Sequence, residues 1–437
     1  MKKSALIIGG GIAGLAAARE LAGKGMTVIL LEAKERCGGR MHTIRARDYP
    51  IELGAEFVHG SDPSLLKVLE EARLTTLDVP ERTLLFANGK FSEVDIWKTV
   101  ADAFDKNEVP SSDCSCEEFF AKTVAEPNRT LLRHFVEGFH AADASRMSAQ
   151  ALRDWEQTAE DVGEAHSLRV ATGYGSVVDF YEREIEKCGG QILKNITVRK
   201  ITWREGRVEV WAQELVAGQP PTSPPEFLSV PRPVIPETEG FRKFAAEAVI
   251  VALPLAVLQA NEVQFEPPLP AKLQAVSHMA VGNVAKITFT FKQPVWDDFG
   301  YILAPDEAIP TWWSDSRRLS ITGWAGGPKA DALVKLLPEQ LEHLGLGILY
   351  KILSRHAADL RQNFVVSHYW NWAVDPHIRG AYCYIPVGGS DLPRQLAEPV
   401  AGTLFFAGEA MAIETQTGTV FGALKTGLRA AQELLSA

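Results

Sequence analysis

A strand, a glycine turn and a helix open this chain, and the same succession closes it. Ser4 to Glu35 reads SALIIGGGIAGLAAARELAGKGMTVILLEAKE, and Gly402 to Leu435 reads GTLFFAGEAMAIETQTGTVFGALKTGLRAAQELL. In the first stretch Gly9 permits a tight turn out of the strand, Gly11 lets the backbone approach a pyrophosphate, and Gly14 allows helix and strand to pack closely. The N–H groups that start such a helix lack intrahelical partners and carry partial positive charge, so they suit an anion. Glu32 ends the second strand about 20 residues on, where an acid accepts from ribose hydroxyls. A glycine fingerprint alone is weak evidence, because any apolar strand can end in a glycine turn. Here strand, turn, helix, second strand and acid fall in order, so the opening reads as a βαβ dinucleotide unit.

The next residues narrow the dinucleotide. Glu32-Ala33-Lys34-Glu35-Arg36-Cys37-Gly38-Gly39-Arg40 sets two adjacent glycines before an arginine, which suits backbone approach to an anion. This stretch resembles the Glu-Ala-x-x-x-x-Gly-Gly-Arg run of FAD-containing amine oxidases. The resemblance implies that Arg36 and Arg40 face the pyrophosphate and that Gly39 lies against the cofactor. The family often has arginine where Lys34 stands; lysine keeps the charge and loses a planar donor fork.

The resemblance continues along nearly the whole chain. Leu53 to Gly60, LGAEFVHG, is similar to the segment that passes beside the flavin in polyamine oxidases, which implicates Gly54, Ala55, Glu56 and Phe57. Gly173-Tyr174-Gly175-Ser176 opens another helix, and Asn195 to Trp203 resembles the strand whose valine, here Val198, contacts adenine through its backbone. Val249 to Pro254 is similar to the family's returning strand, and Gly282 to Ile287 to the segment that supplies a lysine, here Lys286, near flavin N5. Trp372 to Pro376 and Gly380 to Tyr384 resemble the flavin-side aromatic segments. Phe406-Ala407-Gly408-Glu409 and Gly418-Thr419-Val420-Phe421-Gly422-Ala423 complete the match, adding Gly408, Glu409, Thr419 and Val420 to the implied cofactor contacts.

The implied fold class is α/β, a Rossmann-like FAD-binding domain interleaved with an α+β substrate-binding domain. Residues 1–80, 170–260 and 385–437 are expected to build the former, and 81–169 with 261–384 the latter, 81–169 reading as helical and 261–384 contributing a sheet. A length of 437 residues exceeds what one core usually holds, and 46% hydrophobic with 23% charged residues is the composition of a soluble globular protein. The net charge of −10 argues against broad nucleic-acid binding. No apolar run reaches the roughly 18 residues of a membrane span, and Met1-Lys2-Lys3 leaves no room for a signal peptide before the glycine turn. Five cysteines without paired metal spacing point to a reducing cytoplasm and to no metal site. The proline-rich stretch 218–240 reads as an extended surface excursion.

The chemistry implied by the resemblance falls on few residues. Amine oxidation at a flavin moves a hydride equivalent from the carbon bearing nitrogen to N5, so orientation and desolvation of a neutral amine matter more than a strong base. Lys286, set between apolar residues in VGNVAKITFTF, matches the lysine that holds a water near N5 and assists reoxidation. An exposed lysine on an amphipathic strand is the alternative. Tyr382 stands where the family places a ring perpendicular to the flavin, and rings both desolvate an amine and attract its cation. Thr419 replaces a second tyrosine of several relatives, which implies an incomplete cage and a roomier or different entrance. Trp372 is expected on the flavin edge, although a tryptophan on a strand is very often plain core. Ala381 replaces the cysteine of covalent relatives, so FAD is expected to be non-covalent; Cys383 shares that face by strand alternation.

His59 matches the histidine or glutamate that polyamine oxidases use to bind a substrate nitrogen or to titrate near neutral pH, and a structural histidine weighs equally. No arginine follows Phe57 in this segment, where amino-acid oxidases clamp a carboxylate. The reading is an FAD-dependent amine oxidase whose partners are a primary or secondary amine, polyamines among the options, and dioxygen, which is reduced to hydrogen peroxide. The alternatives are an FAD-dependent desaturase or oxidase of an apolar substrate and a flavin-binding scaffold without turnover. Lys286 with Tyr382 speaks against the first.

Overall fold

The computed structural model describes residues 3–46, 49–163, 166–214, 241–413 and 416–437. The proline-rich stretch read at 218–240 lies outside the described residues. Both ends of the chain enter one five-stranded parallel sheet. β1 (Ser4–Ile8) lies between β2 (Thr27–Leu31) and the Ala248–Val251 strand, with Gln191–Leu193 beyond β2 and Leu404–Phe406 at the other edge. Side chains alternate along a strand, and here both faces are covered, which is why β1 reads as an unbroken apolar run. Ala5 and Ile7 join a cluster with α1 (Ile12–Gly23) and the C-terminal helix (Val420–Ser436). Leu6 and Ile8 join a second cluster that includes Val208 and Val210 of the neighbouring four-stranded sheet.

Close packing of backbone on backbone holds the first of these layers. A Cβ on Gly14 would run into the carbonyl of Gly9, and a Cβ on Gly427 into the carbonyl of Ala13. The start of α1 therefore packs directly on the C-terminal helix, two turns past that helix's own start.

The second sheet has seven strands, in the order Phe364–Tyr369, Val284–Phe291, Ser320–Gly326, Thr311–Ser314, Tyr301–Leu303, Thr83–Ala87 and Lys90–Glu93. Every residue of Val284–Phe291 is buried. Ala285, Ile287, Phe289 and Phe291 enter one apolar cluster, so alternation turns Lys286, Thr288 and Thr290 to the opposite face. Residues 81–169, read as helical, do contain the helices Ile96–Asp105, Cys116–Thr123, Asn128–Phe139 and Ala149–Val162. They also supply two strands to this sheet, which the helical reading missed. Asn88 and Gly89 have φ of 52° and 73° and join those strands as a two-residue hairpin turn, Ala87 pairing with Lys90. Asn-Gly between apolar runs is the sequence signal of such a turn. Among the described residues no helix is long and apolar enough to cross a membrane.

Gly427→Ala should push the C-terminal helix off α1 and cost about 1–3 kcal/mol, the usual scale of overpacking. Thermal unfolding of the purified variant should start at lower temperature; an unchanged midpoint would show that the contact gives way freely.

Candidate active site

A cavity of about 1040 Å³ is lined from both sheets. Small-molecule sites usually measure about 300–1,000 Å³, so this one has room for a long ligand. Its wall includes Ile8 and Leu31, the last residues of β1 and β2, and Gly408 just beyond the Leu404–Phe406 strand. Ligands of open α/β sheets bind at these carboxyl ends. Two helix N-termini open on the same space, through Gly11, Ile12 and Ala13 of α1 and through Thr419, Val420 and Phe421 of the C-terminal helix. Their free N–H groups make this end favourable for anions.

Glu32 is buried here, and its carboxyl accepts from Gly10 N at 2.6 Å and Lys34 N at 2.8 Å. Each carboxylate oxygen has two lone pairs, so one on each remains for a hydroxyl donor. Burial raises the Glu32 carboxyl, against those two amides and the charges of Lys34 and Arg36. Val198, beside a shift of register in the Ile196–Arg204 strand, lines the same end. Lys34 pairs with buried Asp375 and lies 5.4 and 5.5 Å from the ring centres of Trp370 and Trp372.

Arg40 lines the cavity and donates to Ala381 O at 2.6 Å and Glu409 Oε1 at 2.8 Å. Glu409 Oε2 accepts from the Cys383 thiol at 2.8 Å and from Gly418 N at 3.1 Å. Burial and this carboxylate push the thiol well up, so Cys383 is a protonated donor. Arg36 departs from expectation. It donates to the carbonyls of Cys37, Gly39 and Met41, bracing the glycine loop from within, and is no part of the cavity wall. Gly14 is likewise off the wall, packed against Gly9.

Further along the cavity stands Lys286, 3% exposed. Its Nζ is 2.8 Å from Glu56 Oε2 and donates to Gly54 O at 2.9 Å. The burial excludes the exposed-lysine alternative. Glu56 Oε1 accepts from Arg169 Nε at 2.8 Å and Trp313 Nε1 at 3.0 Å. Burial alone would raise the Glu56 carboxyl, but Lys286 and Arg169 outweigh it and hold the group below its ordinary value. Arg169 Nη1 and Nη2 have no hydrogen-bond partner among the described residues. The chain-local reading saw no arginine near Phe57. Strand pairing supplies one, because Phe57 sits opposite Arg169, whose guanidinium lies 4.8 Å from the Phe57 ring centre. That guanidinium is held by Glu56 and is not on the cavity wall.

Beyond Lys286 the wall becomes aromatic. The Tyr382 hydroxyl donates to Phe139 O at 2.7 Å, while Trp372, nearer Lys34, donates through Nε1 to Leu53 O at 2.9 Å. His59 Nδ1 lies 3.2 Å from Ser167 Oγ, and burial pushes its pKa down to about 4. That direction favours a neutral, hydrogen-bonding imidazole over the group titrating near neutral pH that the sequence also allowed. Thr419 caps its own helix, accepting from Gly422 N at 2.9 Å. The sequence reading missed Trp97, His134, Phe135, Phe139 and Trp155, which come from the helices, His140 just after one of them, and Trp313 and Trp324 from the sheet. His134, Phe135, Gly138 and Phe139 share one face of the Asn128–Phe139 helix, a spacing that ordinary core helices also show.

The cavity thus gathers Gly9, Gly11, Glu32, Gly39, Arg40, Gly54, Ala55, Glu56, Phe57, Val198, Trp372, Gly408, Glu409, Thr419 and Val420 with Lys286, Tyr382 and His59. These residues fit FAD. Paired helix N-termini suit a pyrophosphate, a buried acid with spare lone pairs suits a ribose, and a Cβ on Gly11 would meet nothing within 4 Å, so a side chain there would project into ligand space.

A family profile described as "Flavin containing amine oxidoreductase" matches residues 12–435. Polyamine oxidase 3 of Oryza sativa subsp. japonica is 28% identical over 98% of this chain and 88% of its own length. Flavin-containing amine oxidase B of Sus scrofa is 26% identical over 100% of this chain and 86% of its own. The solved structure of wild-type putrescine oxidase bound to putrescine shares the fold with a TM-score of 0.80 at 20% identity, each chain covered to 100%. With the profile spanning nearly the whole sequence, this chain belongs to the flavin-containing amine oxidoreductases and is an FAD-dependent oxidoreductase.

Proposed function

We propose that the chain oxidises a primary or secondary amine to the imine, which water converts to an aldehyde and a shortened amine or ammonia, and passes the two electrons to dioxygen to give hydrogen peroxide. The observation that carries this reading is Lys286, a buried ammonium on the cavity wall that is held by Gly54 O and lies 5.7 Å from the Trp313 ring centre. Bound FAD supplies the two-electron acceptor. In this reading residues 1–80, 170–260 and 385–437 hold the cofactor, and 81–169 with 261–384 hold the substrate. The helix N-termini and Arg40 take the pyrophosphate, Glu32 the ribose, and the Val198 backbone the adenine. Gly54, Ala55, Phe57 and Trp372 flank the ring system. All five cysteines are free thiols, which accords with a cytoplasmic location.

The remaining steps belong to side chains around Lys286. An ammonium has three donors; Glu56 and Gly54 O take two, which leaves one for a water or for oxygen as it gains charge. Lys286 and Arg169 face Glu56 and the buried Glu52, whose carboxyl burial pushes up to about 7, so below that pH the group is net positive and disfavours the protonated amine at the reacting position. The neutral amine is the form that reacts, so this bias works in its favour. Tyr382 and the rings beyond it exclude water and set the direction of the C–H bond.

Two outcomes follow from this assignment. Ala381 offers no sulfur and the Cys383 thiol is engaged by Glu409, so acid precipitation of the yellow protein should release all its flavin into the supernatant. Flavin retained in the pellet would contradict non-covalent binding. Lys286→Met keeps most of the stem's bulk and leaves Glu56 paired with Arg169. The amine-reduced variant should then react with dioxygen about 10²-fold more slowly, the scale of losing a placed charge, while reduction by amine changes far less. Stopped-flow mixing with oxygenated buffer measures this, and a rate equal to the parent's would remove Lys286 from the oxygen step.

A further inference from the structure

We propose that the substrate carries a single basic nitrogen, joined by a short linker to an aromatic ring, and that diamines and polyamines are poor substrates. This deepens the amine-oxidase reading above and rests on it. The argument begins with negative charge. Five carboxylates line the cavity, and each is already engaged: Glu32 by the amides of Gly10 and Lys34, Asp375 by Lys34, Glu409 by Arg40, Glu262 by Arg199 and Arg379, and Glu56 by Lys286 and Arg169.

Among the described residues the recess beyond Lys286 and Tyr382 has no other acid on its wall. Its polar side chains include His59, His134 and His140, and burial pushes their pKa values down to about 4, 4 and 3. Neutral imidazoles can hydrogen-bond a neutral group but bring no counter-charge. Two carbonyls that could receive an ammonium already accept other donors: Phe139 O from the Tyr382 hydroxyl at 2.7 Å, and Gly138 O from Trp324 Nε1 at 2.8 Å. A second ammonium in this recess would lose its water and gain ring faces, the unpartnered His140 Nε2 and the second lone pairs of those carbonyls, none of which supplies a counter-charge, so only part of that loss is offset.

A ring is better matched. Phe139 meets Trp97 edge-to-face with centres 5.4 Å apart, and Trp155 at 5.2 Å. Aromatic groups prefer such edge-to-face and offset arrangements, and an aryl group entering here finds both edges and faces. Neutral His134, 3.1 Å from Thr311 Oγ1, adds polarity that a neutral ring substituent can use.

The test is anaerobic reduction of the FAD-loaded protein, followed at the flavin absorbance, with 2-phenylethylamine, butylamine, 1,4-diaminobutane and spermidine. The expected order of second-order rate constants is phenylethylamine above butylamine above diaminobutane, with phenylethylamine exceeding diaminobutane by about 10²-fold or more, as expected when a buried charge has no partner. Comparison of butylamine with diaminobutane isolates the second ammonium, and comparison of phenylethylamine with butylamine isolates the ring. Diaminobutane or spermidine at rates equal to or above phenylethylamine would overturn the proposal and leave amine oxidation standing. Butylamine equal to phenylethylamine would overturn its aromatic part. Failure of every amine to reduce the flavin would overturn the amine reading and the proposal together.

Discussion

The packing of the last helix on the first decides where everything else can stand. Gly427 lies against the carbonyl of Ala13 with no space for a Cβ, so the start of α1 is fixed against a helix that begins some 400 residues later, and both N-termini open on one cavity. Their N-termini then add their fields at one place. Each contributes roughly half a unit of positive charge, and together they make the strand ends of the parallel sheet a site for an anionic ligand. The chain cannot assemble this end of the cavity until its C-terminus has arrived.

Charge placement gives the other end its character. Buried ions are unfavourable unless each finds a partner and its hydrogen bonds. Glu56 meets that requirement with three donors, from Lys286, Arg169 and Trp313, and the carbonyl of Gly54, which accepts from Lys286, holds that ammonium in line. While the neighbouring Glu52 carboxyl is protonated, a surplus positive charge stays buried beside the cavity. Acids elsewhere on the wall are engaged by their own neighbours, so among the described residues the aromatic recess holds neutral imidazoles and no counter-ion. Specificity in such a pocket comes from the group that would be left unpaired, more than from the rings that are present.

Much of this was legible in the sequence, and the reason is local. Gly9, Gly11, Gly14 and Glu32 act through a contiguous strand, turn and helix, and the run from Gly54 to Phe57 lies along a single stretch of chain. Lys286 was readable because one charged residue sits in an otherwise apolar, strand-period segment. Arg36 misled, since its spacing suits an anion equally well whether the guanidinium faces out or turns back onto the carbonyls of its own loop. Arg169 was hidden because only strand register brings it to Phe57. The aromatic recess was hidden for another reason: Phe135, Phe139 and Trp155 have the spacing of any helix core, and nothing in one sequence separates a ring that packs on protein from one that faces a cavity. The hairpin at Asn88-Gly89 was within reach of turn chemistry and was obscured by the helices around it.

The central claim is that both chain ends and Lys286 serve a single extended ligand. The most direct measurement is a crystal structure of the protein with FAD bound. The account predicts the pyrophosphate within hydrogen-bond distance of the first amides of α1, the ribose on Glu32, and the isoalloxazine ring between Gly54 and Tyr382 with N5 facing Lys286. A flavin ring at the Glu32 end of the cavity, or one lying more than a water's breadth from the Lys286 ammonium, would contradict it.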